Sequence, residues 1–341
     1  MKAVYLKKKG SASSSFEIKE IETPQVQDGT ILIKVKAFGL NYADVMARLD
    51  LYPDMPPMPC ILGYDVTGEV VSLGKGVTHL SVGDTVVALT RFGGYAEYAI
   101  ADARVCTKIS SDIPPHIALS MATQLSTAYH AFNECVHLFS KDIVLIHAAA
   151  GGVGMGLVNM ALDRGCTVIA VAGSDEKLNF LKEMGVQHTI NYKKESFVEG
   201  IKRLGFYKKI DVIFDSVGGS NVPKGLKALN AGGRLVIYGA SKLSGSKNKL
   251  KILWEAIQFG LFSPPQFMMP SKALIGINML SLADAKPEVV ERCMKGVFEL
   301  YQKGLFKKIE GKTLPISELS NAHQMLEDGK TVGKIAIEWS L

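Results

Sequence analysis

The sequence is poor in cysteine, and what it has is badly placed for metal or disulfide work. Cys60, Cys106, Cys135, Cys166 and Cys293 lie far apart and form no CxxC pair. Metal-ligand spacing and a disulfide framework are therefore both missing, and a reducing, cytosolic interior is expected. No apolar run approaches the roughly 18 residues that span a bilayer. The N-terminal MKAVYLKKKG has no long apolar h-region, so a cytoplasmic protein with no transmembrane segment is expected. A basic stripe interleaved with aromatics is also missing, which argues against a nucleic-acid partner. The net charge of +6 is spread along the 341 residues, and short runs such as Lys7 to Lys9 and Ser246 to Lys251 read as solvated surface. No internal repeat is visible.

What is present is ordinary globular material, 47% hydrophobic and 21% charged, long enough for two domains. Its 33 glycines, many beside apolar runs, suggest an α/β protein with close backbone approaches. Residues 1–122 carry short β-like runs, among them Thr30 to Ala37, Val66 to Ser72 and Asp84 to Leu89, punctuated by turn signals such as Gln27-Asp-Gly29. That pattern predicts a partly open antiparallel barrel. From 123 to 272 the rhythm becomes strand, glycine turn, helix. Strands are expected at Ile143 to His147, Thr167 to Ala172, Ile210 to Phe214 and Arg234 to Tyr238. Helices are expected at Val153 to Arg164, Asp175 to Met184 and near 221 to 229. The alternation predicts a doubly wound parallel sheet of Rossmann type. The tail, 273–341, offers a helix from Pro287 to Gly304 and strands near Lys308 and at Lys334 to Glu338. These elements are expected to complete the first domain, which makes 123–272 an insertion. The stretch Lys247 to Pro270, with a basic start and then Trp254, Phe259, Phe262, Phe267, Met268 and Met269, reads as a lid, a dimer contact or a membrane-touching patch, the first two favoured.

The chemistry centres on Leu145 to Val158, LIHAAAGGVGMGLV. The turn Ala149-Ala-Gly-Gly-Val-Gly154 follows a predicted strand and opens a predicted helix, the context a dinucleotide fingerprint requires. Small residues at Ala150, Gly151, Gly152, Val153 and Gly154 would let the backbone approach a pyrophosphate. Free N–H groups and the positive helix end would meet its charge. Ala149 stands where the first glycine of GxGxxG belongs, so tight helix-on-strand packing is the competing reading.

The next strand decides which dinucleotide. A site selective for NAD places a carboxylate near the strand end to bind the ribose hydroxyls. Ala172 stands there, followed by Gly173 and Ser174, with Lys177 one turn on and Tyr192 after the following strand. An acid would repel a 2′-phosphate; its absence beside Ser174 and Lys177 predicts NADPH. Lys330 or Lys334 could also approach that phosphate.

At these residues the chain resembles the medium-chain dehydrogenase/reductase superfamily over essentially its whole length. The resemblance implies a GroES-like partly open β-barrel catalytic domain (1–122 and 273–341) and a Rossmann NADPH-binding domain (123–272). Zinc members of the superfamily use a Cys in G-x-C, a His in G-H-E and a later Cys; the matching positions here carry Asn41, Tyr64 and Thr123. Amide and hydroxyl groups do not replace thiolate and imidazole for Zn²⁺, and the four-cysteine structural lobe is missing, so no metal is expected. The motifs Asn41-Tyr-Ala-Asp44, Leu51-Tyr-Pro53, Ile190-Asn-Tyr192 and Asp215-Ser-Val-Gly-Gly219 look like the quinone oxidoreductase (zeta-crystallin) branch. Gly39 to Arg48 and the long 247–270 segment look closer to vesicle amine transport protein relatives.

The resemblance also implies site residues. Asn41 and Thr127 would face the nicotinamide. Ser216 and Val217, then Tyr238, Gly239, Ala240 and Ser241, then Gly276 and Asn278 would line the path from adenosine to nicotinamide. A homodimer joined through nucleotide-domain strand edges is the family expectation. The reaction implied is hydride transfer to a small electrophilic acceptor. Quinones and α,β-unsaturated carbonyls delocalise incoming charge, so hydroxyl and amide donors suffice without a metal, and Asn41, Tyr52 and Tyr64 are the candidates. The alternative is a nucleotide-binding, membrane- or partner-associated protein with little catalysis. His147, at the end of a buried strand, is expected to be a core histidine with its hydrogen bonds satisfied.

Overall fold

Residues 1–245, 249–306 and 309–339 are described by a computed structural model. They divide into two units, Met1–Ser126 with Met279–Glu299 and the chain from Ile309 onward, and Thr127–Asn278 with a short stretch from Leu300.

In the first unit the long strand Thr30–Leu40 organises a seven-stranded sheet. It pairs antiparallel with Asp65–Leu73, with Tyr98–Asp102 and with Lys334–Glu338. Alternation explains it: Ile31, Ile33 and Val35 point inward and are buried, while Lys34 and Lys36 are exposed. The inward residues join Phe38, Leu62, Val66, Val86, Tyr95, Ile335 and Ile337 in one core. A smaller sheet runs Phe16–Glu20, Lys2–Leu6, Cys60–Ile61. The observed strands Asp65–Leu73 and Thr85–Leu89 match the runs expected from their alternation. A short helix, Tyr42–Arg48, escapes sequence reading; Asp44 at its third position caps it by accepting the Asn41 N–H at 2.8 Å.

The second unit is a six-stranded sheet in the order His188–Asn191, Thr167–Ala172, Ile143–Ile146, Ile210–Asp215, Leu229–Ile237, Ala273–Gly276. Every neighbouring pair is parallel, which is the doubly wound Rossmann order with its switch beside Ile143–Ile146. Strand runs such as Val144-Leu145-Ile146 and Val168-Ile169-Ala170 are wholly buried, as helices on both faces require. Helices Gly152–Asp163, Asp175–Glu183 and Asn221–Ala228 supply that cover.

The unit boundary expected at 273 moves to 278, because Ala273–Gly276 hydrogen-bonds to Leu229–Ile237 and completes this sheet. The boundary expected at 122 moves to 126 inside a continuous helical stretch from Pro115 to Glu134. The stretch from Leu300, expected in the barrel domain, falls with the second unit. Lys247 and Lys308, at the start of the expected aromatic segment and near an expected strand, lie outside the described residues; the strand that follows is Gly311–Pro315. No helix among the described residues is long and apolar enough to cross a membrane.

Candidate active site

Because the second sheet is parallel, its strand ends gather most of the expected nucleotide contacts on one edge. At the first end, Ala148 adopts φ +49° and accepts the Gly151 N–H at 2.9 Å, which turns the chain into helix Gly152–Asp163. No side chain caps that helix and no acid occupies its first turn, so its leading N–H groups meet an anion without competition. A Cβ on Gly154 would lie 2.4 Å from the Ala148 oxygen and 2.7 Å from Ala149 Cα. Glycine is required there for the helix to close on the turn. Ala149 at the first fingerprint position is accommodated because it is buried, with its N–H bonded to Val171 O at 3.1 Å.

At the second strand end, Ala172 is buried and Gly173 lies beneath the Tyr192 ring, whose hydroxyl would sit 2.5 Å from a Cβ at residue 173. Ser174 caps helix Asp175–Glu183, its hydroxyl accepting the Lys177 N–H at 3.4 Å. Burial, then the nearby Lys193 ammonium, pulls the Lys177 pKa down. Two cations thus stand near one Ser-capped turn. Sequence reading missed Lys193; the run Tyr192-Lys-Lys194 was the available signal. Asp175, at the start of that helix, pairs with Lys194 at 2.6 Å and Asn191 at 2.9 Å, and Glu176 is the acid that acts on Lys177 against this trend.

The remaining strand ends are cross-braced. Buried Asp215 accepts the Val217 N–H at 2.8 Å and the Gly218 N–H at 3.2 Å, which shapes the turn holding Ser216 and Val217. Ser241 N–H donates to Ser216 O at 3.1 Å. Gly239 passes the same turn so closely that a Cβ would meet Ser216 O at 2.8 Å. Tyr238, Gly239 and Ala240 follow the strand ending at Ile237; Gly276 ends the outermost strand, with Asn278 exposed just beyond. Thr127 comes from a helix, Ser126–Tyr129, instead of a strand end.

Helix Lys249–Ile257 stands over the Ser216–Gly219 turn. Phe259 fills the space above Gly218, where a Cβ would be 2.4 Å from its ring, and Lys242 bridges Glu255 at 3.2 Å and Ser220 at 2.8 Å. Leu250, Leu253, Trp254 and Ile257 remain exposed. His147 is buried with its ring edge-on to Phe197, and burial lowers its pKa. Its Nε2 has no hydrogen-bond partner among the described residues. The expectation of a satisfied core histidine is corrected: the ring packs against an aromatic face that offers no acceptor.

In the barrel unit, Asn41, Tyr64 and Tyr52 fall around a buried polar cluster. Lys334 Nζ lies 2.6 Å from Asp65 Oδ2 and donates to Asn41 Oδ1 at 2.9 Å, and Asn41 Nδ2 donates to Asp65 Oδ1. Lys334 and Asp65 are both 0% exposed. Lys334 is therefore unavailable to a 2′-phosphate, and Lys330 pairs with Asp328 at 2.8 Å. Asp44 accepts the N–H groups of Asn41 and Gly63, and its carboxyl is pushed up to about 7, chiefly by burial and then, against those two bonds, by Asp65.

Burial also raises both phenols, Tyr52 to about 12 and Tyr64 further. Their rings meet edge-on at 6.1 Å. The Tyr64 hydroxyl is buried and interacts with the Tyr52 hydroxyl, which favours the protonated form of Tyr64. Tyr52 lines a cavity of about 460 Å³ with Leu51, Pro53, Met55, Pro57 and Met58. Asp44 and Asp65 were not legible as site residues, and Lys334 was read only toward the phosphate. Asp65 adjoins Tyr64 in the sequence, but nothing local ties it to Lys334.

These donors do not fit zinc. The Asn41 amide oxygen is engaged by an ammonium group, Tyr64 offers a protonated phenol, and Thr123 a hydroxyl.

Family comparison agrees with the architecture. Residues 27–111 match the alcohol dehydrogenase GroES-like domain, and 152–295 the family described as zinc-binding dehydrogenase. The human synaptic vesicle membrane protein VAT-1 homolog is 31% identical over 92% of this chain and 80% of its own. Human quinone oxidoreductase is 26% identical over 93% and 92%. The crystal structure of Escherichia coli quinone oxidoreductase complexed with NADPH superposes with a TM-score of 0.85 at 25% identity, covering 99% of this chain and all of that one. Fold, matched domains and relatives agree: this chain belongs to the medium-chain dehydrogenase/reductase superfamily, with VAT-1 homologs and quinone oxidoreductases among its relatives.

Proposed function

We propose that the protein is an NADPH-dependent, zinc-independent reductase of quinones or α,β-unsaturated carbonyls. The observation that carries this is the barrel cluster, where the Asn41 amide and the Tyr52–Tyr64 hydroxyl pair offer hydrogen-bond donors at positions unsuited to a metal. NADPH fits the strand-end edge: Gly154 keeps the turn tight, the helix N–H groups would receive the pyrophosphate, and Ser174, Lys177 and Lys193 would receive the 2′-phosphate. Bound there, the dihydronicotinamide supplies the hydride. Asn41 and the Tyr52–Tyr64 hydroxyl pair would donate to the acceptor oxygen as charge develops on it, with Tyr52, at the wall of a cavity of about 460 Å³, orienting the acceptor. The relatives named quinone oxidoreductase support this reading. Stopped-flow mixing of protein and NADPH with quinone and enone panels tests it; inertness toward both acceptor classes overturns it.

The protein acts as a homodimer in the cytoplasm. Ala273–Gly276 is an edge strand with unpaired backbone groups, suited to continue its sheet into a second copy. The second reading, a membrane- or partner-associated nucleotide-binding protein of the vesicle amine transport type, is favoured by the exposed stripe Leu250, Leu253, Trp254 and Ile257. Co-sedimentation with liposomes, with and without residues 247–270, decides it; failure to sediment while turnover persists removes it.

A further inference from the structure

The Asp65–Lys334 pair sits where a simpler core would carry apolar side chains. Strand Thr30–Leu40 lies between the strands that bear the two residues, and they meet over Gly39. A Cβ on Gly39 would be 2.1 Å from Asp65 Oδ2 and 2.4 Å from Lys334 Cε. The chain thus gives up a side chain at 39 to bring two buried charges together. Both charges also bond to the same third residue. Lysine only donates and an ionised carboxylate only accepts, so the Asn41 amide has one possible orientation. Its oxygen accepts from Lys334 and one of its two N–H bonds goes to Asp65. One N–H is left. An ammonium on the amide oxygen also draws electron density from the nitrogen and strengthens that remaining donor.

We infer that Asp65 and Lys334 are positioning residues for reduction: they lock the Asn41 side chain so that its single unspent N–H meets the acceptor oxygen. The positive charge that zinc relatives import is here part of the chain, and it acts through Asn41 without touching the acceptor. This inference rests on the reductase reading for its catalytic consequence, while the locking itself is a property of the protein alone.

The test uses the full chain. Removing one charge would strand the other in the core, so the main variant is the Asp65→Asn/Lys334→Met double, which keeps shape without an unpaired charge. NADPH affinity, read by fluorescence titration, is expected to stay at the wild-type value. The kcat for the acceptor is expected to fall roughly 10- to 100-fold. Adding Asn41→Ala to the double variant is expected to cost little more, since both changes disable one donor. A double variant with wild-type kcat, or a full multiplicative loss on adding Asn41→Ala, overturns the inference; so would a purely structural role, which lowers Tm without moving kcat.

A second readout is independent of turnover. In protein labelled with ¹⁵N-asparagine, the Asn41 side-chain proton bonded to Asp65, identified by its loss in Asn41→Ala, is expected to exchange more slowly than its free partner in the wild type and to lose that difference in the double variant. Equal exchange in both overturns the locking. A wild type inert to every acceptor overturns the reductase reading alone, and the amide signal then still decides the locking.

Discussion

Gly173 and Tyr192 are in contact: the phenol hydroxyl would lie 2.5 Å from a Cβ on residue 173. The strand end therefore presents a bare backbone roofed by an aromatic ring, next to Lys177 and Lys193. Lys177→Ala is expected to weaken NADPH by about 1–3 kcal/mol and to leave NADH almost unchanged, because only the phosphorylated ribose loses a charge-assisted contact. Parallel fluorescence titrations check this, and equal weakening of both cofactors would place Lys177 away from the phosphate.

Tyr64→Phe tests stability and activity together. The wild-type hydroxyl is buried and interacts with that of Tyr52, so deleting it should lower unfolding stability by about 1 kcal/mol. The same change should lower kcat/KM for the acceptor by roughly tenfold or more. Thermal melts alongside steady-state kinetics read both, and a variant that gains stability would show that the hydroxyl goes unsatisfied in solution.

Gly154→Ala puts a methyl group 2.4 Å from the Ala148 oxygen, against backbone that cannot swing aside. Overpacking of this kind costs about 1–3 kcal/mol, and it pushes the helix away from the turn. Chemical denaturation should report the loss, with NADPH affinity falling in the same variant; wild-type values for both would contradict the tight turn.

The Asp44 carboxyl, raised to about 7 chiefly by burial, ties stability to pH. Its folded pKa exceeds its unfolded one, so the folded state holds the proton more tightly. The resulting stabilisation is complete below about pH 4 and is lost as pH rises through about 7. The full span is on the order of 4 kcal/mol. Urea midpoints from pH 4 to 8 should fall more steeply for the wild type than for Asp44→Asn, and parallel curves would mean that Asp44 is ionised throughout.

Much of the nucleotide unit was legible because its signals are local. Strand Thr167–Ala172 was read to the residue, and helices Gly152–Asp163 and Asp175–Glu183 to within one position, since continuous apolar runs and Ser or Gly starts mark both kinds of element. The turn at 149–154 and the missing acid at 172 could be read the same way. The barrel cluster could not: Asp65 and Lys334 are joined only through the sheet register around Thr30–Leu40, and a lone lysine near the C-terminus looks solvated. The option that Lys334 approaches the phosphate fails for that reason. His147 was legible as buried but not as lacking a partner, because strand periodicity says nothing about which rings face it.

The buried ammonium also sets how far this chain stands from a metalloenzyme. Exchanging Asn41 for cysteine would restore a thiol at the ligand position, yet the thiolate would find Lys334 already beside it and form an ion pair. Recovering a metal centre therefore demands a second change at Lys334, close in space on the paired strand but 293 residues away in sequence, a barrier that a single point mutation does not cross.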